Sequence, residues 1–552
     1  MTVVGLAVFA VLLYAAACTW SKGAPDGDRL VTAAAGPPRV TVAGEVLEGT
    51  FFGESRHQAV FKGIPYAAPP VGHLRWQPPL NHQPRSGVQP ALEYAPACVQ
   101  PAWNLAFARN IATTFGTDPD LVPALTQTSE DCLFLNVWTA TWESTKRKPV
   151  MMWIHGGSNV SGAGSEVPYD GANLARKGVV VVTINYRLNV FGFLAHPALS
   201  AESPHAASGN YGLLDQIAAL KWVRRNIEAF GGDPERVTVF GESAGAIDVG
   251  YLMASPLAKG LFHRAISQSG GAAIADFRLL ADEEARGSKF ADALGVSAGS
   301  DVLGALRAVE PGALLHKAMT AFPGGPSFAP NTDGWVLPRP PGLSFEAGKQ
   351  HEVPLLIGVN ADEWTTLRFF TPRYDVESFR AALRAAYSAN GDRAVALYPA
   401  NAPEDLVHAT DRWLTDIWFV GPSKLMARWM STVPSNTYFY VLTRHLPAPG
   451  GAKLGAYHAA EMAYVFDNLD DEAWVPRGAY DRELADIIGR YWVQFATTGD
   501  PNVEGLPAWP PYNRETDTHL ELGDEVGARS GFRREACELF EAMLETRMRA
   551  KR

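Results

Sequence analysis

The stretch Val237-Thr-Val-Phe-Gly-Glu-Ser243-Ala-Gly-Ala246 leaves the chain few folds to choose from. Strand-favouring residues run straight into Gly241-x-Ser243-x-Gly245, and small residues follow where a helix can begin. A serine hydroxyl that must act as a nucleophile stands proud of the fold on a sharp strand-to-helix turn. Glycines two places to either side let such a turn pack against its neighbours. The pattern alone is weak, because chance produces it readily in a long chain with 51 glycines, so its surroundings decide. Residues 211–230 place Leu213, Leu214, Ile217, Leu220, Val223, Ile227 and Phe230 at helical spacing. Gly231-Gly232-Asp233-Pro234 then stops that helix before the strand. Helix, glycine-rich turn, strand and Gly-x-Ser-x-Gly form one α/β unit, with Ser243 at the carboxyl end of a parallel strand. Open α/β sheets take their ligands at that edge.

Other segments repeat the theme. Lys148-Pro-Val-Met-Met-Trp-Ile-His155 reads as a buried strand entering Gly156-Gly157-Ser158, and residues 178–185 are a continuous apolar run suited to a strand covered on both faces. Residues 353–358 and 436–443 predict two more strands, and residues 39–63 a set of short antiparallel ones. Helical insertions at about 280–320 and 375–430 are placed to cover the serine and shape its entrance. The expectation is an α/β fold: one doubly wound, mostly parallel sheet in a single domain over residues 39–552. Length alone suggests about three or four domains, but large α/β enzymes often run as one.

The charge balance is mildly acidic, 48 basic against 58 acidic residues, with no Lys/Arg-rich block, which argues against a nucleic-acid partner. Residues 3–17 are an apolar run ending in small residues, which reads as an export signal too short to be a comfortable transmembrane helix, although no Lys or Arg precedes it. Cys18 follows Ala15-Ala16-Ala17 as in a lipid-anchored protein's cleavage site, with Ala15 where Leu is usual; the other reading removes Cys18 with a leader over residues 1–18. Residues 19–38 are expected to be a flexible tether. Cys98 and Cys132 would close a loop worth ~3–4 kcal/mol if oxidised, which export favours. Cys537 reads as a buried or idle thiol, and the sequon Asn159-Val160-Ser161 as a chance match inside an active-site loop.

A serine needs a base, and the base needs a group to orient it. In this fold the acid follows the serine in the chain and the histidine follows the acid. After Leu355-Leu356-Ile357-Gly358 both Asp362 and Glu363 stand where the acid belongs. His408 lies in a helical insertion and His519 in the polar tail, whereas His445 and His458 both follow the last of these strands. Spacing leaves both choices open.

The chain resembles the type-B carboxylesterases, the α/β-hydrolase family that includes cholinesterases and bacterial esterases, from about residue 40 to 515. Phe61-Lys-Gly-Ile-Pro-Tyr66, Pro69-Pro-Val-Gly-His-Leu-Arg75, Ser129-Glu-Asp-Cys-Leu-Phe-Leu-Asn136 and Gly209-Asn-Tyr-Gly-Leu-Leu-Asp-Gln216 carry the likeness. So do Phe240-Gly-Glu-Ser-Ala-Gly-Ala246 and Phe495-Ala-Thr-Thr-Gly-Asp-Pro-Asn502. The resemblance implies Ser243 as nucleophile, Glu363 as the acid of Gly-x-x-x-x-Glu and His458 as the base of Gly-x-x-His-x-x-Glu. It further implies a Cys98–Cys132 disulfide, a supporting Ser269 that helps hold the acid, and an oxyanion hole from the backbone amides of Gly157, Ser158 and Ala244. Two residues depart from the pattern: Ser158 replaces a third glycine and Trp364 the glycine after the acid. Residues 118–131 hold no aromatic to meet a choline cation and Trp103 is in the wrong half of that loop, so a choline ester is disfavoured.

The implied activity is hydrolysis of a small-molecule carboxylic ester through an acyl-enzyme, with no metal or cofactor, by an exported protein. Two other readings share the fold. One is a non-catalytic binding or adhesion protein, which typically lacks part of the triad. The other keeps the triad but cleaves an amide, carbamate or thioester. Trp103, Phe328, Trp364, Phe369, Phe370, Trp418 and Phe419 are candidates for an apolar entrance.

Overall fold

Continuous apolar runs become the middle of one large sheet. A computed structural model describes residues 36–551 apart from 126, 141, 143–145, 273–277, 297–300 and 323–327. Its main sheet has eleven strands: β1 (Thr50–Phe51), β2 (Ala59–Pro65), β3 (Phe134–Thr139), β4 (Lys148–Ile154), β5 (Val180–Ile184), β6 (Gly232–Glu242), β7 (Arg264–Gln268), β8 (Leu355–Asn360), β9 (Thr437–Leu442), β10 (Thr518–Leu522) and β11 (Val526–Ser530). Their spatial order is β11-β10-β9-β8-β7-β6-β4-β5-β3-β2-β1. Strands β4 to β10 are parallel, while β1–β3 at one edge and β11 at the other run antiparallel.

Side chains alternate across a strand, so an all-apolar run must meet a core on each face. Val150, Met152, Ile154, Val180 and Val182 enter one core; Met151, Trp153, Val181 and Phe240 enter the other. Six helices matter for the site: α1 (Trp103–Phe115), α2 (Tyr211–Asn226), α3 (Ala244–Ala254), α4 (Leu406–Thr415), α5 (Gly421–Met430) and α6 (Ala479–Thr498). Leu213, Ile217, Leu220 and Val223 of α2 close the first core, and Leu484, Ile488 and Trp492 of α6 close the second.

The α/β unit before the serine forms as its spacing predicts. Helix α2 tightens into a 3₁₀ turn over Ile227–Phe230 and ends on left-handed Gly231, φ 79°. Strand β6 begins one residue later, and its register against β4 shifts between Gly232 and Val237. The insertion near 280–320 forms three helices, and that near 375–430 forms four with a π turn among them. His519 departs from expectation. It is buried in β10, because that strand is hydrogen-bonded to β9 on one side and β11 on the other instead of trailing into solvent.

Cys98 and Cys132 are joined by a disulfide across a separation of 34 residues, and the loop they close carries α1. Cys537 is free and buried, and burial pushes its thiol up to about 12. Among the described residues no helix is long and apolar enough to cross a membrane. The leader, Cys18 and most of the tether lie outside the described residues. Replacing Cys98 and Cys132 together by Ser should lower the unfolding free energy by about 3–4 kcal/mol, from the loop-entropy term, as read by chemical denaturation of oxidised protein.

Candidate active site

Ser243 caps α3 directly after β6, at φ 55° and ψ −122°. A non-glycine residue there is strained, and such strain persists only where surrounding packing dictates it. Three glycines show how tight that packing is. A Cβ on Gly245 would lie 2.1 Å from the Ile154 carbonyl oxygen, and one on Gly241 would lie 2.6 Å from the Gly245 backbone. A Cβ on Gly156 would meet Glu242 Oε2 at 2.7 Å and Ser243 Cβ at 3.0 Å. The ends of β4 and β6 and the start of α3 therefore touch backbone to backbone. They meet where the chain reverses direction through the sheet, with β5 on one side of β4 and β6 on the other.

The turn after β4 completes this corner. Gly157 has φ 100° and no room for a Cβ, which would sit 2.1 Å from the Ser161 carbonyl oxygen. Ser158 and Asn159 follow at φ 59° and 57°. Asn159 is buried, donating to Asp248 Oδ1 at 3.1 Å and accepting from the Tyr186 hydroxyl at 3.0 Å. Its amide is engaged inside the protein, so the sequon is not a surface site. Burial pushes Asp248 up to about 7, against hydrogen bonds from Gln216 and Asn159. Ser158 instead exposes its side chain at the cavity.

Both open choices of acid and base appear as pairs in the structure. His445 Nε2 stands 3.2 Å from Asp362 Oδ2, with the imidazole 57% exposed. His458 Nδ1 stands 2.6 Å from Glu363 Oε2, with both side chains buried. Only His458 also lines the cavity that holds Ser243. Glu363 is anchored by the Asn360 backbone N–H, which donates to its Oε1 at 2.7 Å. Ser269 lines the same cavity, and among the described residues its buried hydroxyl has no hydrogen-bond partner, while Glu363 meets Asn360 and His458. The other imidazole nitrogen, Nε2, lies 3.2 Å from Glu242 Oε1, on the residue before the serine.

Glu242 and Glu461 complete the acidic surroundings of the His458 ring. Glu461 accepts from Asn360 Nδ2 at 2.6 Å and from Gln268 Nε2 at 3.1 Å, and Gln268 is held by the Trp492 indole at 3.0 Å. Burial works against a charged imidazole at His458, yet Glu242, Glu363 and Glu461 outweigh it and hold its pKa up to about 9. Burial raises Glu242 to about 8; His458 opposes that rise, while Glu461, Glu363 and Glu166 add to it.

The cavity has a volume of about 1050 Å³. All seven aromatics expected at the entrance line it. Phe107 of α1 and Phe419 flank the His458 ring at centroid distances of 6.4 and 4.7 Å. Phe419 and Trp418 both come from a π turn, Asp416–Val420, between α4 and α5; such turns recur at functional sites. Trp103, set aside for a choline cation, opens α1 and packs against Phe370 with centroids 6.0 Å apart. Trp364 forms part of the wall, its indole donating to Thr371 Oγ1 at 2.7 Å. Phe107 lies hidden from motif reading inside the disulfide loop, where only the helical spacing of Leu105, Ala108, Ile111 and Phe115 marks the helix that carries it.

The model of the Carboxylesterase family matches residues 37–540. The chain belongs to that family. It is a serine carboxylesterase, similar to Fumonisin B1 esterase of Sphingopyxis macrogoltabida, 38% identical over 487 residues that cover 85% of this chain and 84% of the relative. It is also similar to Para-nitrobenzyl esterase of Bacillus subtilis (strain 168), 38% identical with 84% and 91% covered. Among solved structures, a thermophilic PNB esterase superposes with a TM-score of 0.77 at 34% identity, covering 91% of this carboxylesterase and 99% of the other chain. At the turn after β4, Gly157→Ala has no room for its methyl and should lower kcat/KM for p-nitrophenyl acetate about 100-fold, the scale of a site displaced by about 1 Å. Circular dichroism should show the sheet retained.

Proposed function

We propose that this carboxylesterase hydrolyses small-molecule carboxylic esters through a Ser243–His458–Glu363 triad and an acyl-enzyme. The observation that carries the reading is the buried 2.6 Å contact between His458 and Glu363, opening on the cavity that also holds the strained Ser243. Ser243 Oγ attacks the ester carbonyl carbon while His458 Nε2 takes its proton. Glu363 holds the ring by Nδ1 and balances the imidazolium charge. Oxygen charge developing in the tetrahedral intermediate is met by the backbone amides of Gly157, Ser158 and Ala244. The C–O bond to the alcohol then breaks, and His458 returns the proton to the departing oxygen. Water, deprotonated by the same imidazole, attacks the acyl carbon; the bond to Ser243 Oγ then breaks, His458 returns the proton to Oγ, and the acid leaves. The disulfide supports an exported location for this chemistry.

Ser243→Ala should reduce p-nitrophenyl acetate turnover by at least ~10⁴-fold with the fold intact; residual turnover near the wild-type rate would sink the assignment. A pH profile tests the base separately. Neutral imidazole accepts the proton, so activity rises as pH climbs through the His458 pKa. Glu242→Gln removes a carboxylate that holds that pKa up, and the acid limb of kcat/KM should move about one unit to lower pH.

A further inference from the structure

Aromatic rings stand both beside the imidazole and at the solvent-exposed rim of the same cavity. Phe419 lies 4.7 Å from the His458 ring, and Trp364 lies 6.4 Å from Phe419. At the outer end Trp418, Phe369 and Phe370 are 52, 62 and 47% exposed, though each also lines the cavity. Phe369 and Phe370 pack with centroids 4.1 Å apart and planes tilted by 41°, and Phe370 leans on Trp103. Large aromatics left this open to water, contiguous with an apolar cavity, mark a surface that something apolar covers. The side of the cavity says which part of a substrate that is. A general acid must reach the leaving-group oxygen, so the alcohol portion of a bound ester lies on the imidazole side, and these rings extend from that side outward.

We propose that Trp418, Phe369 and Phe370 are specificity-determining residues that bind the alkyl chain of the alcohol portion of a long-chain ester. The assignment rests on the hydrolase reading above, with His458 as the proton donor. The inner rings hold the first carbons of the chain, and the rim holds the part that reaches solvent. Short alcohols end before the rim and gain nothing from it.

Two substrate series separate the parts: alkyl acetates from ethyl to decyl lengthen the alcohol, and p-nitrophenyl esters from acetate to decanoate lengthen the acyl group. They are run below the critical micelle concentration with wild type, Trp418→Ser and the double variant Phe369→Ser/Phe370→Ser, each checked for an unchanged melting curve. The expected result is a fall in kcat/KM for decyl acetate that exceeds the fall for ethyl acetate by about tenfold, the scale of one or two methylenes no longer buried. It should come mainly through KM. The p-nitrophenyl series should show no such dependence on length. Loss that follows acyl length instead, or that ignores length, overturns the assignment. So does a deficit seen only above the micelle threshold, which would make the rim a grip on lipid surfaces. Wild type that fails to turn over p-nitrophenyl acetate overturns the hydrolase reading itself, and the rim assignment with it.

Discussion

The site depends on one close approach: the ends of β4 and β6 meet without side chains between them. Gly245 sits where any Cβ would press on the Ile154 carbonyl, and Gly156 where one would press on Glu242 and Ser243. Packing in a protein interior is as dense as in a crystal, so a gap this narrow admits nothing larger than hydrogen. The strain at Ser243 follows from it. A relaxed serine would need the two strand ends to part, and both are clamped in register by neighbouring parallel strands.

Electrostatics adds a second constraint on the same corner. Glu242, Glu363 and Glu461 are all buried around His458. A buried carboxylate is tolerable only when donors satisfy it. The structure supplies Asn360, whose backbone serves Glu363 and whose side chain serves Glu461, and Gln268, which ties Glu461 to the Trp492 indole of α6. Both donors end sheet strands, β8 and β7. The carboxyl ends of β7 and β8 thus supply the donors that let Glu363 and Glu461 stay buried beside the imidazole.

Much of this was legible before any coordinates. Runs such as Val180 to Ile184 declare a strand covered on both faces because no other environment accepts them. The strand-to-helix elbow at Ser243 is legible only through its surroundings, because a helix, a glycine-rich stop and a strand lead into it. Asp362 and Glu363 could not be told apart by spacing, since adjacent residues at a strand end both reach histidines of the following loop. What separates them is burial, and burial belongs to the assembled fold. His519 misled because strand β10 is short and alternates polar with apolar residues, a pattern shared with solvated tails. Glu363 is held by the Asn360 backbone N–H at the end of β8, a contact between near neighbours that no motif announces. The network through Glu461, Gln268 and Trp492 joins residues far apart in the chain and has no local signature.

The π turn at Asp416–Val420 has a consequence for how such a protein can diversify. A π turn holds one residue more than the α-helix it interrupts, and each residue rotates a helix by about 100°. Losing a single residue there would swing Trp418 and Phe419 to new bearings while leaving the sheet, the elbow and the buried carboxylates where they are. In this chain the turn is therefore a mutational dial, one codon wide, for the walls around the site.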